Sequence, residues 1–212
     1  MDFNNLSTYM PLLIKVGFVL LYFLFAYILG SISTGYIAVK TLTGQDIREV
    51  GSGSTGATNV KRVLGTKWFF IVLLIDGIKG ILTVVLARCL FTDTMGFITV
   101  LSAVFVILGH SKSVFLKFKG GKCVATGVGT ILGLNPLVGL IVAAIWGTIT
   151  YFSKYVSVGS IIALPLSAII MYFMDSHIAY SVYCLVGAIY IVWLHRANIV
   201  RLINNNESKV RE

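Results

Sequence analysis

Hydrophobic residues run along the chain in long blocks that short polar stretches interrupt. An α helix needs about 20 apolar residues to cross a bilayer, and five blocks come near or exceed that length: residues 11–39, 68–91, 95–110, 156–174 and 177–195. A sixth block, residues 124–152, contains the sequence LNPL. Because proline breaks the hydrogen bonding of a helix interior, this block is either one kinked helix or two short helices divided at Asn135–Pro136.

Basic residues favour two helices in the sixth block. With two crossings there, the polar segments 40–67, 111–122, 153–155 and 196–212 share one side of the membrane, and they hold fourteen of the seventeen lysines and arginines. Such an excess marks cytoplasmic loops, whereas a single crossing would separate the basic tail from the other basic loops. We therefore predict one polytopic, all-α membrane domain over residues 1–212. It has seven transmembrane helices, with the N-terminus outside and the C-terminus in the cytoplasm. The fourth helix either begins near Gly121 or is a half-span.

Composition agrees with a membrane protein, since only 12 % of the residues are charged and 57 % are hydrophobic. The net charge of +9 is explained by basic loops that contact anionic lipid, so nucleic-acid binding is not needed. The N-terminal block lacks the features of a cleaved signal peptide and is expected to remain as the first helix. The three cysteines are scattered, and no histidines pair at metal-ligand spacing. We therefore predict no disulfide, metal or cofactor.

The stretch GSGSTGATN raises the question of a dinucleotide site. Gly51, Gly53 and Gly56 have the spacing of that motif, and Asp76 follows twenty residues later, where the motif has an acid. A dinucleotide fold requires a strand before the glycines, but here a membrane helix precedes them. Asp76 lies in the middle of a predicted span, three residues before Lys79, so the two can pair on one helix face. We reject the dinucleotide interpretation.

Four polar clusters on the predicted cytoplasmic side nevertheless have the chemistry of an anion site. Glycines in the first cluster allow close backbone approach to an anion, and polar side chains flank them. In the second, lysines and two glycines precede a helix N-terminus, which attracts phosphate. The third places a serine at a helix start, and in the fourth a histidine, an asparagine and an arginine recur at three-residue spacing on one helix face. The residues are Ser52, Thr58, Asn59 and Arg62; Lys119, Gly120, Gly121 and Lys122; Lys154 and Ser157; His195, Asn198 and Arg201.

Each cluster also has a simple structural explanation: a linking turn, a basic loop on lipid headgroups, a serine N-cap or a polar helix end. All four lie on the same predicted side, however, and this convergence favours a phosphate-handling site at the membrane surface. No paired carboxylates, hydrolase nucleophile elbow or metal cluster accompanies them, so hydrolysis by protein groups is disfavoured.

Four stretches resemble, in their order and spacing, the signatures of bacterial acyl-phosphate:glycerol-3-phosphate acyltransferases, the PlsY family. They are GSGSTGATNVKRVLG, KFKGGKCVAT, KYVSVGS and HRANIVRL. The resemblance implies a seven-helix enzyme of the bacterial cytoplasmic (inner) membrane whose active site faces the cytoplasm. It implies transfer of a fatty acyl group from acyl phosphate to the first hydroxyl of glycerol 3-phosphate, giving lysophosphatidic acid and phosphate without a cofactor. The implied partners are both substrates, membrane lipid and the soluble enzyme that makes acyl phosphate.

Acyl phosphate is already activated, so no covalent enzyme intermediate is required, and positioning and charge neutralisation supply most of the rate. The hydroxyl proton can pass to an oxygen of acyl phosphate, with His195 as the alternative base. The residues expected to be catalytic are Arg62, Lys122 and His195. Those expected to bind the substrates are Ser52, Gly53, Thr58, Asn59, Lys119, Gly120, Gly121, Ser157 and Asn198.

The chain departs from the family pattern at several positions. Cys123 replaces the usual glycine after GGK, Ala197 replaces a glutamate beside His195, and Ser54–Thr55 stands where asparagine and a variable residue are usual. These departures keep open a catalytically inert scaffold. A transporter or anion channel, with Asp76 and Lys79 in its path, is disfavoured because the polar clusters lie on one face and no inverted repeat is evident.

Overall fold

The computed structural model describes residues 12–209, and within that range the secondary structure is helical, with no strand. The helices, in chain order, are α1 (Leu12–Ser31), α2 (Thr34–Thr43), α3 (Ala57–Leu64), α4 (Thr66–Leu90), α5 (Phe97–Ser111), α6 (Val124–Leu134), α7 (Pro136–Ser153), α8 (Val156–Met174), α9 (Ile178–Leu194) and α10 (Arg196–Ile203). Short 3-10 turns lie at Ile47–Glu49 and Val114–Leu116. Since the residues from Leu12 to the glycine-rich loop contain no strand, these residues do not place that loop in a βαβ unit.

Between residues 12 and 209, five helical segments are long and apolar enough to cross a membrane. They are Leu12–Thr43, Thr66–Leu90, Phe97–Leu116, Pro136–Ser153 and Val156–Met174. A sixth is counted if α9 and α10, which meet at a bend of 57°, form one span. The all-α, multi-pass prediction is confirmed, whereas the seven crossings and their sidedness remain predictions. The predicted external N-terminus falls on residues 1–11, outside the described residues.

The sixth block is divided at Asn135–Pro136, as one of the two alternatives predicted. The Asn135 side chain accepts a hydrogen bond of 3.1 Å from the Val138 N–H, and Pro136 occupies the first position of α7. An asparagine cap followed by proline is a strong helix start. Helix α6 therefore has only 11 residues, about half of a membrane crossing.

The first block is also interrupted, at Ile32–Ser33, which the sequence did not predict. The Ser33 side chain accepts from the Tyr36 N–H and caps α2. The Lys79 ammonium donates to the carbonyls of Gly30 and Ile32, at 3.2 and 3.1 Å. A lysine from α4 thus satisfies carbonyl groups that the broken helix leaves without intrahelical partners.

Lys79 also pairs with Asp76, as predicted from their spacing. The ammonium lies 2.9 Å from Asp76 Oδ1 and 2.9 Å from His110 Nδ1, and Thr34 Oγ1 donates to the same carboxylate oxygen at 3.0 Å. Asp76 and Lys79 are 2 % and 5 % exposed. This buried cluster joins the break between α1 and α2 to α4 and α5, beneath the polar loops.

Small residues bring the helices close together around this cluster. Gly129 of α6 packs directly on the backbone of Gly77 in α4, and Gly109 of α5 packs on the backbone of Tyr27 in α1. Such contacts let membrane helices approach without intervening side chains. They fix α6 against α4, and so fix the position at which α6 begins.

Candidate active site

A polar cavity of about 80 Å³ lies where the glycine-rich loop, the lysine-rich loop and the C-terminal segment meet. Eight of the twelve predicted site residues line it: Ser52, Thr58, Asn59, Arg62, Lys122, Ser157, His195 and Asn198. They come from loops and helices that are far apart in sequence. The fold therefore brings together the four clusters that the sequence showed separately.

Three helix N-termini converge on this cavity. Ala57 and Thr58 begin α3, Val124 and Ala125 begin α6, and Ser157 is the second residue of α8; all five line the cavity. The first N–H groups of a helix have no intrahelical partner and carry a partial positive charge. Together with two side-chain cations, the three ends make the cavity a strongly favourable place for an anion.

Asn59 organises the glycine-rich loop from within. Its Oδ1 accepts from the Ser52 N–H at 3.0 Å and from Arg62 at 3.3 Å. Its Nδ2 donates to the carbonyls of Val50, Ser54 and Ile47, at 2.8, 3.0 and 3.2 Å. The side chain is 1 % exposed, and its donors are already engaged. The geometry therefore gives Asn59 the task of holding the loop and Arg62, rather than that of a free donor to substrate.

Two glycines allow the glycine-rich loop to turn tightly. Gly51 and Gly53 have φ values of 60° and 69°, a region that favours glycine. A side chain at Gly51 would also collide with Asn59 Oδ1. Gly53 does not line the cavity, so the structure shows it bending the loop and does not bring it to the site.

The structure likewise leaves Lys119, Gly120 and Gly121 off the cavity wall. Lys119 is exposed. The Gly121 N–H donates to the His110 carbonyl at 3.0 Å, and a side chain at either glycine would collide with His110. These glycines let the lysine-rich loop lie directly on the end of α5, instead of presenting N–H groups to an anion as predicted.

Lys122 is the lysine of that loop which reaches the cavity. Its ammonium donates to Asn198 Oδ1 at 2.5 Å, which links the loop before α6 to α10. Burial, followed by the neighbouring charge of Arg201, lowers the pKa of Lys122 to about 8. The ammonium is thus held in a poorly solvated position where an anionic ligand would restore its preference for the charged form.

Cys123, one of the departures from the family pattern, follows Lys122 and directly precedes α6. Its φ is 63°, in the left-handed region, and its thiol donates to the Ile107 carbonyl at 3.4 Å. The residue is 1 % exposed yet forms part of the cavity wall. The side chain is therefore accommodated by pointing back to α5, while the backbone keeps a conformation that glycine would favour.

His195 lies at the bend between α9 and α10. Its Nδ1 is 2.7 Å from the Ile191 carbonyl, and since a carbonyl oxygen only accepts, Nδ1 carries the proton. In the neutral ring, Nε2 is then an acceptor. The predicted continuous helix through His195 and Arg201 is instead bent by 57°, but His195 and Asn198 still share the cavity wall.

Glu207 was missed by the sequence analysis. Its Oε1 accepts from Asn198 Nδ2 at 2.6 Å and from Ser157 Oγ at 3.0 Å, and its Oε2 accepts from Arg201 Nε at 2.7 Å. Burial raises the pKa of Glu207, but the hydrogen bonds from Asn198, Arg201 and Ser157 outweigh it and hold the pKa below its usual value. The cavity therefore contains an ionised carboxylate from the C-terminal segment.

Asp76, His110 and Trp146 also line the cavity without having been predicted there. The position of Asp76 within a predicted span was a signal, since intramembrane acids commonly mark functional sites. The other two carried none, because an aromatic or a lone histidine in an apolar run usually belongs to the core.

An apolar groove of about 400 Å³ adjoins the polar cavity between α4, α6 and α7. The two share the side chains of Leu73, Val124, Ala125 and Trp146. Phe70 and Leu74 line the groove and are 60 % and 64 % exposed. Their outward position places the groove at the surface that would meet lipid, while its inner end meets the polar cavity.

Comparisons with known proteins agree with this arrangement. The sequence profile of the family described as glycerol-3-phosphate acyltransferase matches residues 20–205. The glycerol-3-phosphate acyltransferase of Nostoc sp. is 42 % identical, covering 88 % of this chain and 89 % of its own. That of Gloeobacter violaceus is 43 % identical over 87 % of this chain and 91 % of its own.

Crystal structures show the same fold. PlsY, an integral membrane glycerol 3-phosphate acyltransferase, aligns in its glycerol 3-phosphate form with a TM-score of 0.85 at 35 % identity, over 90 % of this chain and 94 % of its own. Its lysophosphatidic acid form aligns with a TM-score of 0.82 at 33 % identity, over the same shares of both chains. The chain belongs to the glycerol-3-phosphate acyltransferase family of bacterial membrane enzymes.

Proposed function

We propose that the protein transfers a fatty acyl group from acyl phosphate to the first hydroxyl of glycerol 3-phosphate, giving lysophosphatidic acid and inorganic phosphate. The observation that carries this proposal is the junction of an anion-binding type of cavity, which Arg62, Lys122 and three helix N-termini line, with an apolar groove. The two meet at Leu73, Val124, Ala125 and Trp146. An acyl phosphate has the same division into a phosphate and an alkyl chain. PlsY has been crystallised in a glycerol 3-phosphate form and in a lysophosphatidic acid form. These are the second substrate and the product of the proposed reaction.

The cavity accounts for the phosphate chemistry. Arg62 and Lys122 would neutralise the phosphates, and the N-termini of α3, α6 and α8 would supply N–H donors. Ser52, Thr58 and Ser157 line the cavity with hydroxyl groups that can donate to phosphate oxygens. Asn59 would act indirectly, because it holds Arg62 and the Ser52 N–H in place.

The reaction needs no nucleophile from the protein. The glycerol oxygen attacks the acyl carbon, the bond between that carbon and the phosphate oxygen breaks, and the phosphate leaves with the bonding electron pair. The hydroxyl proton passes to a phosphate oxygen of the donor. His195 would position glycerol 3-phosphate through Nε2, and in the alternative it accepts the proton itself. Rate enhancement then comes from orientation and from cations that stabilise the departing phosphate.

The setting of the reaction is part of the proposal. The basic loops and the tail lie on one side in the seven-crossing topology, so the cavity would face the cytoplasm of a bacterial cell, at the inner membrane. A soluble enzyme that makes acyl phosphate would supply the donor there. The apolar groove would hold the acyl chain at the level of the bilayer, where its surface residues Phe70 and Leu74 are exposed.

One assay tests the proposed function. Purified protein in detergent or vesicles receives palmitoyl phosphate and glycerol 3-phosphate, and phosphate release is followed with each substrate alone and with both. We expect release that requires both, together with lysophosphatidic acid in equal amount. Release with palmitoyl phosphate alone would indicate a hydrolase, and no release would indicate a transporter or an inert scaffold.

A further inference from the structure

Trp146 of α7 stands at the boundary between the polar cavity and the apolar groove, and it forms part of the wall of both. It is the largest of the four side chains that the two spaces share. Its indole packs against the buried cluster to which Phe69 and Val72 of α4 belong, and also against the cluster that contains Val142 of its own helix. Because the groove lies between α4, α6 and α7, a side chain that reaches from α7 to the first of these clusters crosses the inner end of the groove.

The indole is held in this position from α8. Its Nε1 donates to Ser160 Oγ at 3.1 Å, and the Ser160 hydroxyl donates in turn to the Val156 carbonyl at 2.9 Å. Ser160 is 0 % exposed. The neighbouring Gly159 lies directly against the ring, since a side chain there would come within 3.3 Å of the indole Cδ1. The hydrogen bond and the close packing of α8 therefore make the indole a fixed part of the wall.

The proposed function places the reacting carbon beside this wall. The phosphate of the donor lies in the cavity and its alkyl chain lies in the groove, so the acyl carbon that joins them lies at the junction of the two spaces. The glycerol hydroxyl approaches that carbon from the cavity. The shared wall, with Trp146 as its largest member, then covers the carbon on sides that glycerol 3-phosphate does not occupy.

Water is the competing acceptor at the same carbon. In hydrolysis, the water oxygen attacks the acyl carbon, the bond between that carbon and the phosphate oxygen breaks, and the phosphate leaves with the electron pair. The proton of the water passes to the phosphate, and a fatty acid is the second product. The proposed reaction uses no protein nucleophile that would distinguish glycerol from water. Discrimination therefore depends on the position of the glycerol hydroxyl and on the exclusion of water from the carbon.

We propose that Trp146 is a specificity-determining residue that makes the enzyme a transferase rather than a hydrolase, because its fixed indole keeps water away from the acyl carbon. Ser160 is a positioning residue that acts through the indole. This inference rests on the proposed function. Without the indole, the vacated space would open onto the polar cavity and border the Ser160 hydroxyl, so water would enter it.

The test compares Trp146→Ala with Trp68→Ala. Trp68 packs against the same cluster as Phe69 but lines neither the cavity nor the groove, so its variant controls for the loss of an indole from that cluster. In Trp146→Ala, we expect hydrolysis of palmitoyl phosphate without glycerol 3-phosphate to rise about tenfold or more above the parent rate. At saturating glycerol 3-phosphate, lysophosphatidic acid should fall to less than about half of the phosphate released. Trp68→Ala should keep the two products in equal amounts.

Ser160→Ala removes the hydrogen bond and leaves the indole in place. We expect a smaller rise in hydrolysis, about two- to fivefold, and this variant decides the question if thermal unfolding shows that Trp146→Ala does not fold. In water labelled with heavy oxygen, the label should appear in palmitate. Label in phosphate would place the attack of water at phosphorus, away from Trp146, and would contradict the inference.

Equal amounts of lysophosphatidic acid and phosphate in folded Trp146→Ala, with no release in the absence of glycerol 3-phosphate, would overturn the inference. Loss of transfer without any gain in hydrolysis would do the same, since it would make Trp146 a residue for donor binding alone. An equal rise in hydrolysis in Trp68→Ala would also overturn it. The failure of the proposed function is distinct, because the parent protein itself would then show no release that needs both substrates.

Discussion

The ammonium group of Lys122 lies 2.5 Å from the amide oxygen of Asn198, across 76 residues of sequence. This contact joins the start of α6 to α10 and places a poorly solvated cation in the cavity. Because the pKa of Lys122 is lowered to about 8, the group is charged below that pH and loses its proton as the pH rises through it.

We expect activity to fall above about pH 8, by about tenfold in kcat/KM for each further pH unit, since the neutral amine no longer attracts phosphate. In Lys122→Arg this alkaline limb should disappear, because a guanidinium stays charged throughout the range. Steady-state rates between pH 6 and 10 measure this. Lys119→Arg, at an exposed position of the same loop, should keep the limb; an identical alkaline limb in Lys122→Arg would assign it to another group.

Arg62 is the second cation of the cavity, and Arg62→Ala should abolish measurable acyl transfer. Arg62→Lys should restore only part of the rate, because lysine keeps the charge but not the planar fork of donors that fits phosphate. Phosphate release measures both, with the exposed Lys67→Ala as the control for lost positive charge. Substantial activity in Arg62→Ala would refute the assignment of Arg62 to phosphate.

His195→Asn separates positioning from proton transfer. With the acyl phosphate oxygen as the base, we expect mainly a raised KM for glycerol 3-phosphate and a substantial remaining kcat. Full loss of turnover at saturating substrate would instead identify His195 as the base. The variant also removes the hydrogen bond to the Ile191 carbonyl, so its thermal unfolding is compared with that of the parent protein.

The apolar groove gives a prediction about the acyl donor. Ala143 lines the groove, whereas Ala144 does not line it and is exposed. The substitution Ala143→Phe should therefore fill space in the groove that a long acyl chain needs. Overpacking costs about 1–3 kcal/mol, and we expect the KM for palmitoyl phosphate to rise about tenfold or more. The KM for acetyl phosphate should change little. Ala144→Phe is the matched control, and equal effects of the two variants on palmitoyl phosphate would contradict a chain site in the groove.

The buried pair of Asp76 and Lys79 should dominate the stability of the region beneath the cavity. Asp76→Asn leaves the Lys79 ammonium without its counter-charge, and breaking a buried pair in this way costs about 3–5 kcal/mol. We expect a lower midpoint of thermal unfolding in detergent. The double variant Asp76→Asn/Lys79→Met should lose less than the sum of the single changes, because it leaves no unpaired charge. Additive losses would show that the two groups are not coupled.

The sequence predicted those features whose causes are local. The break at Asn135–Pro136 follows from a capping side chain beside a proline, and the pairing of Asp76 with Lys79 follows from their spacing on one helix. The interruption at Ile32–Ser33 was not predictable in this way, because part of its stabilisation comes from Lys79 on another helix.

The same distinction applies to the site. Residue types and clustering selected Arg62, Lys122 and Ser157, which line the cavity, but they could not distinguish Gly121, which packs on His110, from glycines that face the cavity. Glu207 carried no local signal, since a glutamate in a polar tail normally points to solvent. Its place in the site depends on a chain reversal and on partners up to fifty residues away.

The wall that the cavity and the groove share, formed by Leu73, Val124, Ala125 and Trp146, bears on how substrates and products would reach and leave the site. In the proposed reaction, a fatty chain would stay immersed in the bilayer while its head group is exchanged at the aqueous boundary, because the groove opens beside the exposed Phe70 and Leu74, at the surface that would meet lipid. The lysophosphatidic acid formed there would diffuse sideways into the leaflet without passing through water. The enzyme would then exchange only two small ions with the aqueous phase: glycerol 3-phosphate would enter from it, and inorganic phosphate would leave to it.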